Sequence, residues 1–141
     1  MRSAYVSMML AIILASCAQM EATAPSKPNP YRVIFTTGLD NRNKPVNDVS
    51  EISISEKRIY LIVNWQISAE EHTNVTIISD GVGNVVCRPE QSFTPKGSFW
   101  TTRSWCRITS HIDQPGQWKF EVYMDGEKAL EEYLTVTPKS E

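Results

Sequence analysis

The chain has few of the residues from which catalytic and metal sites are built. Its 141 residues include three cysteines and two histidines, His72 and His111. A metal site needs three or four converging ligands, and no H-x-H, H-x₃-H or C-x-x-C spacing is present to supply them. We therefore expect both histidines to lie in surface loops, and we expect neither a metal nor any other cofactor.

Motifs typical of nucleophilic catalysis and of phosphate binding are missing as well. No serine lies in a G-x-S-x-G or an S-x-x-K sequence. Gly81 and Gly83 form a G-x-G, but no third glycine follows, and this favours a hairpin turn over a phosphate-binding loop. The sequence predicts no catalytic residue and a protein that is not an enzyme.

Charge of one sign is not concentrated in any run of the sequence. Lys and Arg number 14 and Asp and Glu number 16, so the net charge at pH 7 is −2. Because no Lys/Arg cluster is present, we expect no binding surface for a nucleic acid. Long stretches rich in Ala, Leu, Glu and Lys are also missing. Aromatic and β-branched residues recur at short intervals instead, which is typical of a β-rich domain.

An apolar run of 11 residues, 4–14, lies close to the start of the chain. It is too short to span a bilayer, which takes about 20 apolar residues. A positive charge at Arg2 precedes the run and the small residues Ala15 and Ser16 follow it. This arrangement is typical of a secretory signal peptide, which we assign to residues 1–16.

The four residues Leu14-Ala15-Ser16-Cys17 resemble the lipobox of bacterial lipoproteins at every position. The resemblance implies that the chain is cut before Cys17 and that the Cys17 thiol carries diacylglycerol, which anchors the protein to a membrane. Ala18 rather than Asp follows, which resembles the pattern for sorting to the outer membrane, with the domain facing the periplasm or the cell surface. The alternative is an ordinary cleaved signal with a coincidental cysteine.

Residues 17–30 contain three prolines and no aromatic or branched aliphatic residue, so they cannot build a core. We interpret them as the lipidated cysteine and a Pro-rich tether, which would extend roughly 40 Å if polyproline-like. The remaining residues 31–138 suffice for one domain. If Cys17 carries lipid, Cys87 and Cys106 are left as a pair, and an oxidising compartment favours a disulfide between them over two separate thiols.

Alternating apolar residues predict eight strands, and residues 89–97 are predicted to be a loop. The predicted strand 58–66 has the clearest apolar pattern. Trp65 shares one of its faces with three aliphatic residues and the other face is also partly apolar, which indicates a central position in the sheet. In the first strand, Tyr31, Val33 and Phe35 are expected on one face. The predicted strands are residues 31–37, 51–55, 58–66, 74–79, 85–88, 99–109, 117–124 and 129–136.

Such spacing is typical of a β-sandwich or a small barrel. The segment Pro115-Gly116-Gln117-Trp118, followed by the turn Asp125-Gly126 and by Tyr133-Leu134-Thr135-Val136, resembles the closing hairpin of bacterial immunoglobulin-like envelope domains. A looser similarity covers residues 35–65. The resemblance implies an all-β fold, an immunoglobulin-like antiparallel β-sandwich of seven or eight strands. It says little about function, because such sandwiches serve many unrelated roles.

One group of residues is a candidate binding patch, namely Trp100, Arg103, Trp105 and Arg107. If Trp105 faces outward between the two arginines, it forms an aromatic and cationic patch, which can anchor a protein partner or stack on sugars. The alternative is that Trp100 or Trp105 packs under a loop while the arginines pair with surface acids.

These observations predict a membrane-anchored binding or assembly module of the cell envelope, without enzymatic activity, whose partner is an envelope protein. Two alternatives remain open. One is a domain that binds carbohydrate or peptidoglycan of the cell wall through the tryptophans. The other is a pilotin-like accessory lipoprotein that escorts a subunit of a secretion system.

Overall fold

A computed structural model describes residues 27–140, which fold into two β-sheets packed face to face. The predicted signal peptide, Cys17 and most of the predicted tether lie outside the described residues. Within residues 27–140, no helix is long and apolar enough to cross a membrane.

The described chain contains nine strands in two sheets. A three-stranded sheet has the order β1-β3-β7, and a six-stranded sheet has the order β2-β9-β8-β4-β5, with β6 also paired to β4. All pairs are antiparallel except β2 with β9, which is parallel. The strands are β1 (Asn29–Thr36), β2 (Glu51–Ser53), β3 (Arg58–Gln66), β4 (His72–Ser79), β5 (Val85–Cys87), β6 (Glu90–Phe93), β7 (Phe99–Arg107), β8 (Gly116–Met124) and β9 (Glu127–Thr137).

The core lies between the sheets and is built by the alternation of β3 and β8. As predicted, β3 is the central strand of its sheet and Trp65 is completely buried on its inner face. From the opposite sheet Trp118 and Phe120 are equally buried, and Phe35 meets Phe120 edge to face with 4.8 Å between ring centroids. Burying each such side chain stabilises the fold by about 1.5–3 kcal/mol.

Hydroxyl groups inside the sandwich are paired rather than left without partners. The indole Nε1–H of Trp65 donates to Thr102 Oγ1 over 2.8 Å, and the hydroxyls of Thr76 and Ser104 bond across the two sheets at the same distance. In the described part of the chain, no buried side-chain nitrogen or oxygen lacks a hydrogen-bond partner. These bonds offset the cost of burying polar groups and fix how the sheets face each other.

A disulfide joins the two sheets, as the cysteine count predicted. It connects Cys87 on β5 to Cys106 on β7, with 5.9 Å between their Cα atoms. The two cysteines are 19 residues apart, and a loop of this size corresponds to about 3 kcal/mol of stabilisation in the chain-entropy model.

Each of the eight predicted strands corresponds to an observed one, but the loop prediction for residues 89–97 was wrong for β6. The polar sequence Glu90-Gln91-Ser92 shows no apolar alternation, so nothing local indicates a strand. It is extended because its backbone pairs with the edge of β4, from His72 opposite Phe93 to Val75 opposite Glu90.

The face predicted for Tyr31 was also wrong. The register between β1 and β3 shifts between Pro30 and Arg32, which marks a β-bulge or irregularity at Tyr31. Val33 and Phe35 keep their inward direction, whereas Tyr31 is exposed and meets Phe99 of β7 with 5.9 Å between ring centroids. The pair adds exposed aromatic surface to the three-stranded sheet.

Candidate functional site

The outer face of the three-stranded sheet is a surface whose strands carry charged residues of one sign only. Its strands contain four arginines and no acidic residue, whereas the six-stranded sheet contains six glutamates and two lysines. Pleat alternation places all four arginines outward. We call this surface the basic face; its cations are Arg32, Arg58, Arg103 and Arg107.

The sequence has no Lys/Arg cluster, so the basic face was not apparent from it. The arginines belong to three strands that are distant in sequence, and only the pairing of β1, β3 and β7 brings them together. Arg58 lies opposite Arg107, and Arg103 lies opposite Ile62. That no nucleic acid binds the protein stays a prediction.

Trp105 lies on the basic face between Arg103 and Arg107, and 49% of its surface is exposed, which is the first of the two arrangements that the sequence left open. The guanidinium carbon of Arg58 lies 5.1 Å from the centroid of the indole, a cation–π contact. The Tyr60 ring is 6.5 Å away. The indole is thus held by its neighbours while half of it remains open to a partner.

Trp100 does not belong to this patch. It lies on the inner side of β7 and is half-buried, with its ring stacked on Phe93 at 5.1 Å and an interplanar angle of 2°. Of the two tryptophans, Trp100 therefore packs against the interior of the protein, and Trp105 does not. Within residues 27–140, neither Arg103 nor Arg107 forms an ion pair with an acid.

A cleft of about 340 Å³ opens at the centre of the basic face, and we call it the central cleft. Its floor contains Ile34 and Ile62, each only 4% exposed although both lie on the outer side of the sheet. Part of the loop between β1 and β2 forms one wall. The other lining residues are Arg32, Asn43, Lys44, Pro45, Asn64, Thr101 and Arg103. No linear motif links these residues, so sequence reasoning missed the cleft.

Hydrogen bonds hold the wall of the central cleft in place. The Asp40 carboxylate accepts the backbone N–H groups of Arg42 and Lys44 at 2.8 and 2.9 Å, and these bonds lower the pKa of Asp40. Asn43 takes a left-handed backbone conformation, with φ of 59°. Its carbonyl accepts the Nε–H of Arg103 at 3.1 Å, which joins the loop to β7. The loop thus has a defined position over the sheet.

His72 is not the surface-loop residue that we expected; it is buried at the start of β4. Its Nδ1 lies 2.6 Å from Asp125 Oδ2, and its Nε2 lies 2.9 Å from the Ser68 carbonyl. Both partners accept hydrogen bonds, so the site suits an imidazolium with a proton on each nitrogen. Burial disfavours the charge, but the bonds to Asp125 and Ser68 outweigh burial and raise the pKa of His72.

The His72–Asp125 pair connects the start of β4 to the turn between β8 and β9. Asp125 Oδ1 also accepts the backbone N–H of Thr73 at 2.9 Å. Burial alone would raise the pKa of Asp125, but its bonds to His72 and Thr73 lower it. Since both groups are fully engaged with structural partners, we assign them to stability rather than to binding. The second histidine, His111, is exposed in the turn before β8.

The side chains of residues 27–140 do not form a metal-binding site. In that part of the chain, no group of three His, Cys, Asp or Glu side chains could hold a metal ion. The basic face is therefore the candidate functional site that the described residues support best.

Two packed sheets of this topology, joined by a disulfide, define an immunoglobulin-like β-sandwich. An immunoglobulin-like protein from Pseudomonas aeruginosa superposes with a TM-score of 0.51 and 13% sequence identity, over 81% of this chain and 99% of that one. At this identity the similarity shows the fold alone.

A second similarity is to the alkylpurine DNA glycosylase AlkC of Pseudomonas fluorescens, in a complex with DNA that contains an abasic-site analogue. Its TM-score is 0.48 with 15% identity, over 84% of this chain and 32% of that one, which is too low to support a conclusion about this chain. No model of a known protein family matches the sequence, and no curated protein is significantly similar to it.

Proposed function

We propose that this protein is a non-catalytic binding module of the bacterial cell envelope, which binds an acidic surface of another envelope protein through its basic face. One observation supports this above all: three adjacent strands present four arginines, no acid and the half-exposed Trp105. Arg and Trp are the residues most enriched where protein interfaces gain their energy. Complementary charge also steers the partner and excludes basic proteins.

The lipid anchor is the second part of the proposal. A lipid on Cys17 would fix the protein to the outer membrane, and the tether would lead directly into β1, which begins at Asn29. More than one acyl chain is needed for stable anchoring, since each buried CH₂ contributes only about 0.8 kcal/mol. A tethered module searches for its partner along a surface, which raises its effective concentration.

An enzyme is not proposed, because the basic face offers no pair of groups suited to acid–base chemistry. The side chains that meet there are arginines, a lysine, amides, hydroxyls and an indole. General acid–base catalysis needs a side chain that gains and loses a proton near the working pH.

Photo-crosslinking in cells tests the protein partner. A photoreactive amino acid replaces Trp105 in one variant and Tyr133 in the matched control; Tyr133 is 53% exposed on β9 of the other sheet. We expect one defined envelope protein to crosslink from position 105 and not from position 133. Equal yields from both positions, or no protein adduct from position 105, would contradict the proposal.

Binding to cell-wall glycan is the second candidate function, and the exposed indole of Trp105 favours it. In that case the mature protein should be retained on purified cell-wall material, and Trp105→Ala should abolish retention. Trp100→Phe is the control, because Trp100 faces away from the basic face. A pilotin-like role would instead identify the crosslinked protein as a secretion-system subunit.

The anchor has its own test. Cys17→Ser should remove metabolic labelling by palmitate and release the protein from the membrane fraction. Cys87→Ser serves as the control, since it breaks the disulfide but leaves the lipid site intact. Unchanged labelling in Cys17→Ser would show that the anchor is assigned to the wrong residue.

A further inference from the structure

We infer that the central cleft is a carboxylate-binding site that receives one glutamate or aspartate side chain of the partner. This inference rests on the proposed function and adds the chemistry of the contact. It starts from the charge of the cleft. Arg32, Lys44 and Arg103 line it, and none of the three forms an ion pair within residues 27–140.

Asp40, in the loop that forms the wall, makes no ion pair with these cations within residues 27–140, although its charge interacts with that of Lys44. Asp40 accepts the backbone N–H groups of Arg42 and Lys44 and thereby holds the loop itself. Its carboxylate is hydrogen-bonded to the backbone and forms no ion pair with a side chain of the cleft within the described residues. An anion that enters therefore meets Arg32 and Arg103, which no acid of the described residues pairs with, beside Lys44, whose charge Asp40 reduces.

Hydrogen-bond donors suited to a carboxylate are available in the cleft. Among residues 27–140, Arg103 donates through its Nε–H to the Asn43 carbonyl and its two terminal NH₂ groups have no acceptor, which leaves them for a ligand. Thr101 donates to the Asn64 side-chain oxygen at 2.8 Å. In the described residues, the amide NH₂ of Asn64 has no acceptor of its own. Guanidinium and amide NH groups match the planar geometry of a carboxylate.

The floor of the cleft suits the stem of an acidic side chain rather than a free inorganic anion. Ile34 and Ile62 present an apolar surface under the cations. The methylene groups of a glutamate can pack there while its carboxylate faces the arginines. A volume of about 340 Å³ lies at the lower end of the range for small-ligand sites, roughly 300–1,000 Å³, and leaves room for flanking residues.

Two matched peptides provide the test, acetyl-Ala-Glu-Ala-amide and acetyl-Ala-Gln-Ala-amide, which differ in one charge. They are titrated against the mature chain from residue 17 with Cys17→Ser, and the backbone amide signals of Ile62 and Thr101 are followed by NMR. We expect saturable shifts with the Glu peptide, at least about tenfold tighter than with the Gln peptide, since a charged hydrogen bond lost is worth that much. Added salt should weaken binding.

Three variants locate the site. Arg32→Gln and Arg103→Gln should each weaken the Glu peptide by about tenfold. Arg107→Gln removes the same charge from the same face but lies outside the cleft, and it should change affinity by no more than about twofold. Equal losses in all three variants would mean a diffuse charge effect and would overturn the inference.

Other outcomes separate this inference from the proposed function. Equal binding of both peptides, or tighter binding of inorganic phosphate than of the Glu peptide, would overturn the carboxylate site. If the protein adduct from position 105 persists in that case, the proposed function stands without the cleft. Saturable binding of the Glu peptide without any protein adduct from position 105 would support the carboxylate-binding site and contradict the proposed protein partner.

Discussion

Trp65 and Trp105 show how far the role of one residue type depends on its position. Trp65 is completely buried and bonded to Thr102, while Trp105, on the neighbouring strand, is half exposed. Trp105 follows Trp100 by five positions on β7. Because this number is odd, its indole lies on the opposite side of the sheet. Strand parity alone decides which tryptophan supports the core and which is open to a partner.

This difference gives a matched prediction. Trp65→Ala should lower the free energy of unfolding by about 3–5 kcal/mol, because it opens a large cavity and leaves Thr102 without its donor. Trp105→Ala should lower it by less than about 1 kcal/mol. Urea unfolding followed by circular dichroism measures both values; similar losses in the two variants would show that the faces of the sheet are assigned wrongly.

The His72–Asp125 pair predicts a pH dependence of stability. The pKa of His72 is raised, so its contribution is complete below its ordinary pKa of 6.5 and is lost as pH rises through the raised value. The pKa of Asp125 is lowered from 3.8, so its contribution is complete above that value and is lost as pH falls through the lowered one. The pair is strongest in the window between these two ordinary values.

Asp125→Asn tests this window. Asp125 has φ of 53°, a conformation that Asn also tolerates, so the turn is preserved and the charge is removed. The variant should be less stable by about 1–2 kcal/mol near pH 5.5, since solvent screens the half-exposed carboxylate. The deficit should shrink as pH rises through the raised pKa of His72, because the imidazole then loses its charge. A deficit that grows with pH would contradict the charged pair.

Single residues were predictable where they follow strand alternation, and not where their partner is distant. The inward faces of β3 and β8 followed from period-two patterns, which left the exposure of Trp105 open. His72 was missed because Asp125 belongs to a different turn. Tyr31 was misplaced because a register shift, which depends on pairing with β3, has no local sequence signal.

At the scale of elements, the two turns before β5 and β8 are locked together. The backbone N–H of Gly81 donates to the Gln114 carbonyl, and the Gln114 N–H donates to Asp80 Oδ2, both over 3.1 Å. A Cβ atom at Gly81 would overlap the carbonyl group of Pro115. The close approach of the two backbones therefore requires glycine at this position.

Gly81→Ala should therefore lower the free energy of unfolding by about 1–3 kcal/mol, the usual cost of forcing an extra atom into a packed site. Gly97→Ala is the matched control, because a Cβ at Gly97 meets nothing within 4 Å. Thermal unfolding of the two variants provides the comparison. Equal midpoints would mean that the two turns do not pack as closely as described.

Elements with their own apolar pattern were predictable, and elements that depend on a neighbour were not. All eight patterned strands formed, and β3 was correctly placed in the centre of its sheet. Strand β6 was missed because its extended backbone results from pairing with β4. The parallel pairing of β2 with β9 likewise depends on how the chain crosses between sheets, which no short pattern records.

At the scale of the whole molecule, the main feature is the opposite charge of the two sheets. The sequence has a nearly balanced composition, and this hides four arginines on one face and a glutamate excess on the other. Three of the four predicted patch residues do meet on the basic face. The central cleft, in contrast, combines residues from three strands and a loop, so only the folded chain reveals it. The signal peptide and lipid anchor stay predictions from sequence.

The most direct measurement of the central claim is a charge reversal on one face. Arg58→Glu with Arg107→Glu changes the charge of the basic face, and Lys96→Glu with Lys139→Glu makes the same change at exposed sites outside it. The quantity measured is co-purification of the protein that crosslinks from position 105. If the basic face is the binding surface, the variant with both arginines reversed should lose co-purification, and the variant with both lysines reversed should keep it. Full co-purification with both variants would contradict this account.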